Sequence, residues 1–230
     1  YRGRAVLIAT GRSPKKLGVK GAEQFFGHGV FHEPPLLARD LSHKTFCVVG
    51  GGNPAGQVAG WLSRVRGANV HVVMQEASLK LPAGYGMSRY LADRLMNAPN
   101  VYVHMESRIQ AVLGESTVTE VVIRNTDGSE KKLAVDEVYA FIGSTPNTEW
   151  TGKDTDEPMS LHRDGRIAIH RATGGAKYPW RWERNAFSSE TTDIGVFAAG
   201  DVCVAGLGTI LGAYGHAAAA LQDICAYLRL

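Results

Sequence analysis

The sequence predicts an α/β protein built on parallel sheet, and three observations predict it. Residues 44–104 run strand, helix, strand, helix, strand, an order that places crossover helices between parallel strands. Three consecutive glycines, Gly50 to Gly52, follow an apolar strand and open a helix. Several short apolar runs end in glycine, as buried strands entering turns do. Composition agrees, because 44% of the 230 residues are hydrophobic and 20% are charged, the balance of a folded chain. A chain of this length buries roughly 70% of its unfolded surface and needs no staples.

Each element follows in order. Arg4 to Gly11 reads as a buried strand entering a turn. Arg12 to Lys20 is a basic loop, either solvated or facing an anion. Pro34-Pro35 blocks regular structure and marks a connection between domains. Thr45 to Gly50 is a second buried strand. Pro54 to Arg66 reads as a helix, with Asn53 as N-cap and Pro54 at the tolerated first position. Asn69 to Met74 is a strand. Met87 to Asn97 is a helix with Met87, Tyr90, Leu91 and Leu95 on one side, and Asn100 to His104 is another strand. Arg108 to Leu113, Val118 to Asn125 and Lys132 to Val135 form an antiparallel meander. Glu137 to Gly143 and Gly195 to Gly200 are buried strands, Arg166 to His170 is a short one, and a helix from about Thr209 to Tyr227 closes the chain.

Other function classes are excluded in turn. The net charge of +3 is too small to argue for nucleic acid. The segment from Lys177 to Phe187 mixes aromatic and basic residues, which would suit stacking on single strands. No basic stripe accompanies it, so packing of Trp180, Trp182 and Phe187 onto the body is the favoured reading. Val202 to Leu221 has no charged side chain, but half of it is Gly or Ala, which contribute little to membrane insertion. A buried, small-residue helix is expected there and no membrane span. His32, His104, His170 and His216 lack paired metal-ligand spacing, so no metal is expected. Cys47, Cys203 and Cys225 form neither a CxxC nor a disulfide framework. An odd, unstapled count and the lack of a leader pattern fit a reducing, cytoplasmic location.

The sharpest motif is Val48 to Ala55. Gly50 would make the tight turn, Gly52 would let backbone approach a pyrophosphate, and Ala55 would let helix and strand pack closely. Asn53 and Pro54 begin the helix, whose N-terminal N–H groups favour phosphate. The alternative is a Gly-rich turn with no ligand. The next strand ends at Met74-Gln75-Glu76. A carboxylate there bonds a ribose 2′-hydroxyl and repels a 2′-phosphate, so Glu76 favours NADH over NADPH. Glu76 as a solvated loop residue stays open, with Arg64, Arg66 or Lys80 reaching the phosphate instead.

Ala9-Thr10-Gly11, the Gly50 loop, Phe141-Ile142-Gly143 with Pro146-Asn147-Thr148, and Gly195 to Asp201 occur in this order. In order and spacing they resemble the two-dinucleotide flavoproteins of the thioredoxin reductase type, over nearly the whole chain. The resemblance implies two Rossmann-like dinucleotide-binding domains with a small antiparallel β meander, and FAD and NAD(P)H as cofactors. The NAD(P) domain, residues 38–143, would be inserted in an incomplete FAD domain, residues 1–37 and 144–230. Thr10 and Gly11 would mark the crossing between domains, and Ile142 and Gly143 the return. Gly200 would admit the flavin cofactor and Asp201 would accept from its hydroxyls. The helix beginning at Thr209 and Ile210 would aim its positive end at the isoalloxazine edge. His216 in that helix would tune flavin protonation or merely fill space.

The departures count too. No CxxC precedes the Gly50 loop, where the chain reads Phe31-His32-Glu33-Pro34-Pro35, and Cys47 reads as a buried, inert thiol. A subgroup without the dithiol looks closer, through Gly50 to Gln57, Met87 to Leu91 with Asp93-Arg94, Thr148 with Trp150, and the loop from Lys177 to Phe187. That subgroup is often fused to cyclic-nucleotide-binding or receiver domains. The resemblance therefore implies hydride transfer from NAD(P)H to flavin and on to a small-molecule or protein acceptor. No residue is assigned an acid–base role. A homodimer, a regulatory domain fused upstream and N-terminal truncation that weakens FAD binding are further expectations. The rivals are a non-catalytic nucleotide or redox sensor, and an NAD dehydrogenase without flavin.

Overall fold

The computed structural model describes residues 3–34, 40–79, 86–152, 159–170, 180 and 182–230. Pro35, Lys80, Lys177 to Pro179 and Arg181, which entered the reading above, lie outside the described residues. The chain forms two compact units, Pro14–Gly143 and Tyr1–Ser13 with Ser144–Leu230.

In the first unit, alternation along the strands builds two cores from one sheet. Strand β4 (Thr45–Val49) turns Phe46 and Val48 to one face and Cys47 and Val49 to the other. It pairs in parallel with β5 (Asn69–Val73) on one side and β10 (Glu137–Ala140) on the other. Strands β6 (Val101–His104) and β3 (Val30–Phe31) complete the parallel order β3-β10-β4-β5-β6. Helices α1 (Asn53–Leu62) and α2 (Arg89–Met96) cover the Phe46 face with Ala55, Val58, Leu62, Leu91 and Leu95. The other face is covered by the antiparallel meander β7 (Ser107–Gly114), β8 (Val118–Asn125) and β9 (Glu130–Ala134) through Ile109, Val121 and Ile123.

Three expectations for this unit are corrected. The break expected at residue 37 falls earlier, because Leu17, Ala22, Phe25 and Val30 join the core on the meander side and β3 pairs with β10. Helix α1 stops at Leu62, four residues short of Arg66, where the chain turns toward Gly67. Tyr90 is exposed, and Leu91, Ala92 and Leu95 form the buried face of α2.

In the second unit, β1 (Val6–Ile8) pairs in parallel with β12 (Val196–Ala198). Strand β2 (Arg12–Pro14) pairs with β11 (Ser144–Pro146). A smaller core gathers Ile8, Ile167, Ile169, Ala198, Val202 and Cys203. A 3-10 turn (Gly200–Val202) follows β12, and α3 (Ile210–Leu228) ends the chain. Strand β1 is not the buried strand expected, since Val6 and Leu7 are 51% and 42% exposed and only Ile8 is buried. Residues 166–170 make isolated bridges at Ile167 to Leu161 and Cys203 and no strand. Helix α3 is also not buried as a whole: Ala220 alone is fully buried and Tyr227 packs on Phe197, while Ile210, Leu211 and Tyr214 are exposed.

The loop near residue 190 packs as expected, with one exception. Arg184 pairs with the fully buried Glu190 at 2.5 Å and lies over the rings of Trp180, Phe187 and Tyr227. Trp182 remains exposed. Asp223 on α3 accepts from the Ser188 and Ser189 hydroxyls and the Ser189 N–H, which fastens the loop to the helix. No helix among the described residues is long and apolar enough to cross a membrane.

Candidate functional site

The connection from β4 through α1 leads to β5 on one side, while β10 adjoins β4 on the other. Open parallel sheets bind ligands at such a switch point, outside the carboxyl ends of the strands. The Gly50 loop lies there. Gly50 has φ +130°, and a Cβ at this residue would overlap the Phe141 carbonyl oxygen. Only glycine lets the two backbones meet so closely. Ala55 is fully buried behind the turn, and among the described residues a Cβ on Gly52 would meet only the Pro54 ring, at 3.6 Å.

Helix α1 begins without a side-chain cap and without an acid in its first turn. Its N-terminal N–H groups therefore stay available to an anion. Asn53 is not the expected N-cap, a position held by Gly52. Its Oδ1 instead accepts from the Ser88 N–H at 2.7 Å, tying the start of α1 to the start of α2. The Glu76 carboxylate turns back toward the loop, 2.6 Å from where a Cβ on Gly51 would stand. It and the loop glycines are thus brought together, and this donor set suits a dinucleotide: free N–H groups for pyrophosphate and a carboxylate for ribose hydroxyls. Ile142 and Gly143 follow Phe141 at the end of β10, where the Gly143 carbonyl accepts from the Lys15 N–H.

A second site lies in the other unit. A cleft of about 380 Å³ is lined by Ala9, Gly11, Ala199, Gly200, Ala213 and Ala217, with Asp201, Ile210 and Tyr214. Small side chains on one wall let a flat group approach backbone. Gly200 takes φ +77° with Ala213 at 3.7 Å from its would-be Cβ. Asp201 accepts from the Gly208 N–H through Oδ1 at 2.9 Å, which leaves Oδ2 for a ligand hydroxyl. Thr209 caps α3, its hydroxyl accepting from the Gly212 N–H at 3.0 Å. Thr10 does not line the cleft. Its hydroxyl donates to the Asn147 carbonyl, and the Asn147 side chain returns a bond to the Thr10 carbonyl. The cleft residues Ala213, Tyr214 and Ala217 were not singled out from sequence, although Ala213 and Ala217 stand four apart on one helix face.

Burial raises the Cys203 thiol and pushes the Cys47 thiol up to about 12. The Cys203 Sγ lies 3.9 Å from His216 Nδ1. No group of three or more His, Cys, Asp or Glu suited to a metal occurs among the described residues.

A family model described as pyridine nucleotide-disulphide oxidoreductase matches residues 1–223. The F component of alkyl hydroperoxide reductase from Staphylococcus aureus is 30% identical over 200 residues, covering 86% of this chain and 34% of that protein. Its Staphylococcus epidermidis counterpart is 28% identical over the same shares. The crystal structure of T. acidophilum thioredoxin reductase superposes with a TM-score of 0.78 at 24% identity, over 100% of this chain and 66% of that one. The Streptococcus pyogenes thioredoxin reductase gives 0.61 at 27% identity, over 98% of this chain and 65% of that one. The chain thus spans about a third of the length of these curated relatives and about two thirds of these solved ones.

Proposed function

The chain belongs to the pyridine nucleotide-disulphide oxidoreductase family, whose cofactors are FAD and NAD(P)H, and from that premise we propose that it is an NAD(P)H-dependent flavin oxidoreductase working without an internal dithiol. In this reading the Pro14–Gly143 unit binds the nicotinamide dinucleotide, and Tyr1–Ser13 with Ser144–Leu230 forms part of the FAD-binding domain. The observation that carries it is the Gly50 loop, where close backbone approach, the uncapped start of α1 and the Glu76 carboxylate converge. Bound together, the two cofactors supply hydride transfer.

The chain's own residues bind and orient. Gly50, Gly52, Pro54 and Ala55 shape the pyrophosphate cradle, and Asn53 holds it against α2. Glu76 receives ribose hydroxyls and disfavours a 2′-phosphate, so NADH is the preferred donor. Ile142 and Gly143 border the loop beyond Phe141. Gly11, Gly200, Asp201 and Ile210 line the flavin cleft, while Thr10 and Thr209 position its walls.

The acceptor is a small molecule or a partner protein, and the lack of cysteine at Phe31 to Pro35 favours a route without an internal dithiol. Membership of the dithiol-free subgroup, a regulatory domain fused upstream, a homodimer and a cytoplasmic location complete the reading. Anaerobic stopped-flow addition of NADH to the flavin-loaded protein tests it. Rapid bleaching of the flavin bands is expected. Nucleotide binding without bleaching would overturn the enzyme in favour of a sensing module.

A further inference from the structure

We propose that the Pro14–Gly143 unit carries a phosphate-binding pocket, built by Arg108 and Arg124 on the meander and separate from the Gly50 loop. The pocket holds about 310 Å³ and opens between Gln75, at the end of β5, and the first residues of β7. Arg108 and Arg124 are Cα partners across the β7–β8 ladder, so their side chains leave the same face a few ångströms apart. Like charges directly opposite each other destabilise a ladder. Among the described residues neither guanidinium has a hydrogen bond or an ion pair. Glu130 is the Cα partner of Arg124 on β9, yet it makes no ion pair with it.

The residues flanking the two arginines are tied to one another by hydrogen bonds. Ser107 is buried, and its hydroxyl donates to Asn125 Oδ1 at 2.7 Å. Thr126 donates through both its N–H and its hydroxyl to the Glu106 carbonyl. Ser107, Asn125 and Thr126 are therefore satisfied by their neighbours, and the two forks remain for a ligand. Two adjacent guanidiniums match a phosphate dianion, which accepts paired N–H bonds from each. Two carboxylates oppose this charge: the exposed Glu106 side chain lines the same pocket, and Glu130 leaves β9 on the face that Arg124 shares.

Such a phosphate has two sources. It is a free phosphate or small phosphomonoester, or it is the 2′-phosphate of NADPH reaching past Gln75. Only the second source rests on the dinucleotide reading of the Gly50 loop. Isothermal titration of the full chain with inorganic phosphate, NADPH and NADH separates them. For a free ligand, inorganic phosphate binds, and Arg108→Gln or Arg124→Gln weakens it about tenfold. NADPH and NADH are then affected equally. For the dinucleotide source, the same substitutions weaken NADPH about tenfold and leave NADH unchanged. Arg124→Lys recovers part of either loss, and Glu106→Gln tightens phosphate about threefold by removing one opposing charge. Unchanged phosphate and NADPH affinities in both glutamine variants, with the fold retained by circular dichroism, would overturn the pocket. Failure of the dinucleotide reading shows separately, as absent NADH binding by the unsubstituted chain.

Discussion

Gly50 and Gly200 each end a buried strand, and each takes positive φ, but they are held differently. Gly50 is pressed against the Phe141 carbonyl in a unit whose parallel sheet is covered on both faces. Gly200 borders an open cleft, where a Cβ would meet only Ala213 among the described residues, in a unit whose β1 and α3 expose Val6, Leu7, Ile210 and Leu211. The same residue type therefore answers two demands. In the first unit it permits a backbone contact that already exists, and in the second it leaves room beside a cleft. Close packing on both sides of a sheet makes a substitution costly, whereas an open wall absorbs it.

Paired substitutions break or sharpen this comparison. The largest effect is expected from Gly50→Ala, which combines positive φ with overlap of a backbone oxygen. It should cost about 3–4 kcal/mol in denaturant unfolding and abolish NADH binding. Gly200→Ala should cost about 1 kcal/mol by the same measurement. Equal losses would erase the contrast.

Next in size is Glu190→Ala in the second unit. This fully buried carboxylate accepts from Arg184, the Phe187 N–H and the Gly195 N–H. Removing it strands those donors and should cost about 3 kcal/mol. The replacement Glu190→Gln keeps two acceptor contacts and should cost less, with both read from urea midpoints.

A pH effect belongs to the first unit. His71 Nδ1 and His104 Nε2 share a hydrogen at 3.0 Å, beside Tyr102 and with Lys131 near enough to oppose a charge. Burial first, then the charges of His71 and Lys131, push His104 down to about 4. The folded value lies below the ordinary 6.5, so the unfolded chain binds the proton first. Stability is full above pH 6.5 and falls as pH drops toward 4. The loss is on the order of 1 kcal/mol, after discounting for the half-exposed ring. His104→Gln should flatten the slope of unfolding free energy across that window. A persisting slope would place the effect elsewhere.

The smallest effect concerns Glu76. Glu76→Ala should weaken NADH about tenfold in equilibrium titration and change the urea midpoint little. Unchanged NADH affinity would leave Glu76 as a solvated carboxylate.

Much of this was legible in the residues. The strand and helix order of 44–104 follows from apolar periodicity over short windows, and the Gly50 loop from its place between a strand and a helix. What failed to show was partner choice. Asn53 has the residue type of an N-cap, but the Ser88 N–H, 35 residues away, takes its oxygen. Thr10 has a motif position, but Asn147, 137 residues away, takes its hydroxyl. Tyr90 fits the apolar stripe of α2 and still faces solvent, because eight residues bury a face only as wide as Leu91, Ala92 and Leu95.

By itself the sequence determined the alternation that makes a parallel sheet, the glycines that allow two backbones to touch, and the lack of cysteine from Phe31 to Pro35. These are local properties, set by side-chain period and backbone sterics within a few residues. Only the tertiary structure decided that Pro14 to Phe31 belongs to the sheet's unit, that Val6, Leu7, Ile210, Leu211 and Tyr214 lie exposed, and that Arg108 stands opposite Arg124. The last depends on the irregular register between Ile109 and Ala111. Pairings of this kind join residues far apart in the chain, and no periodicity within one segment encodes which strand its neighbour will be or where it will start.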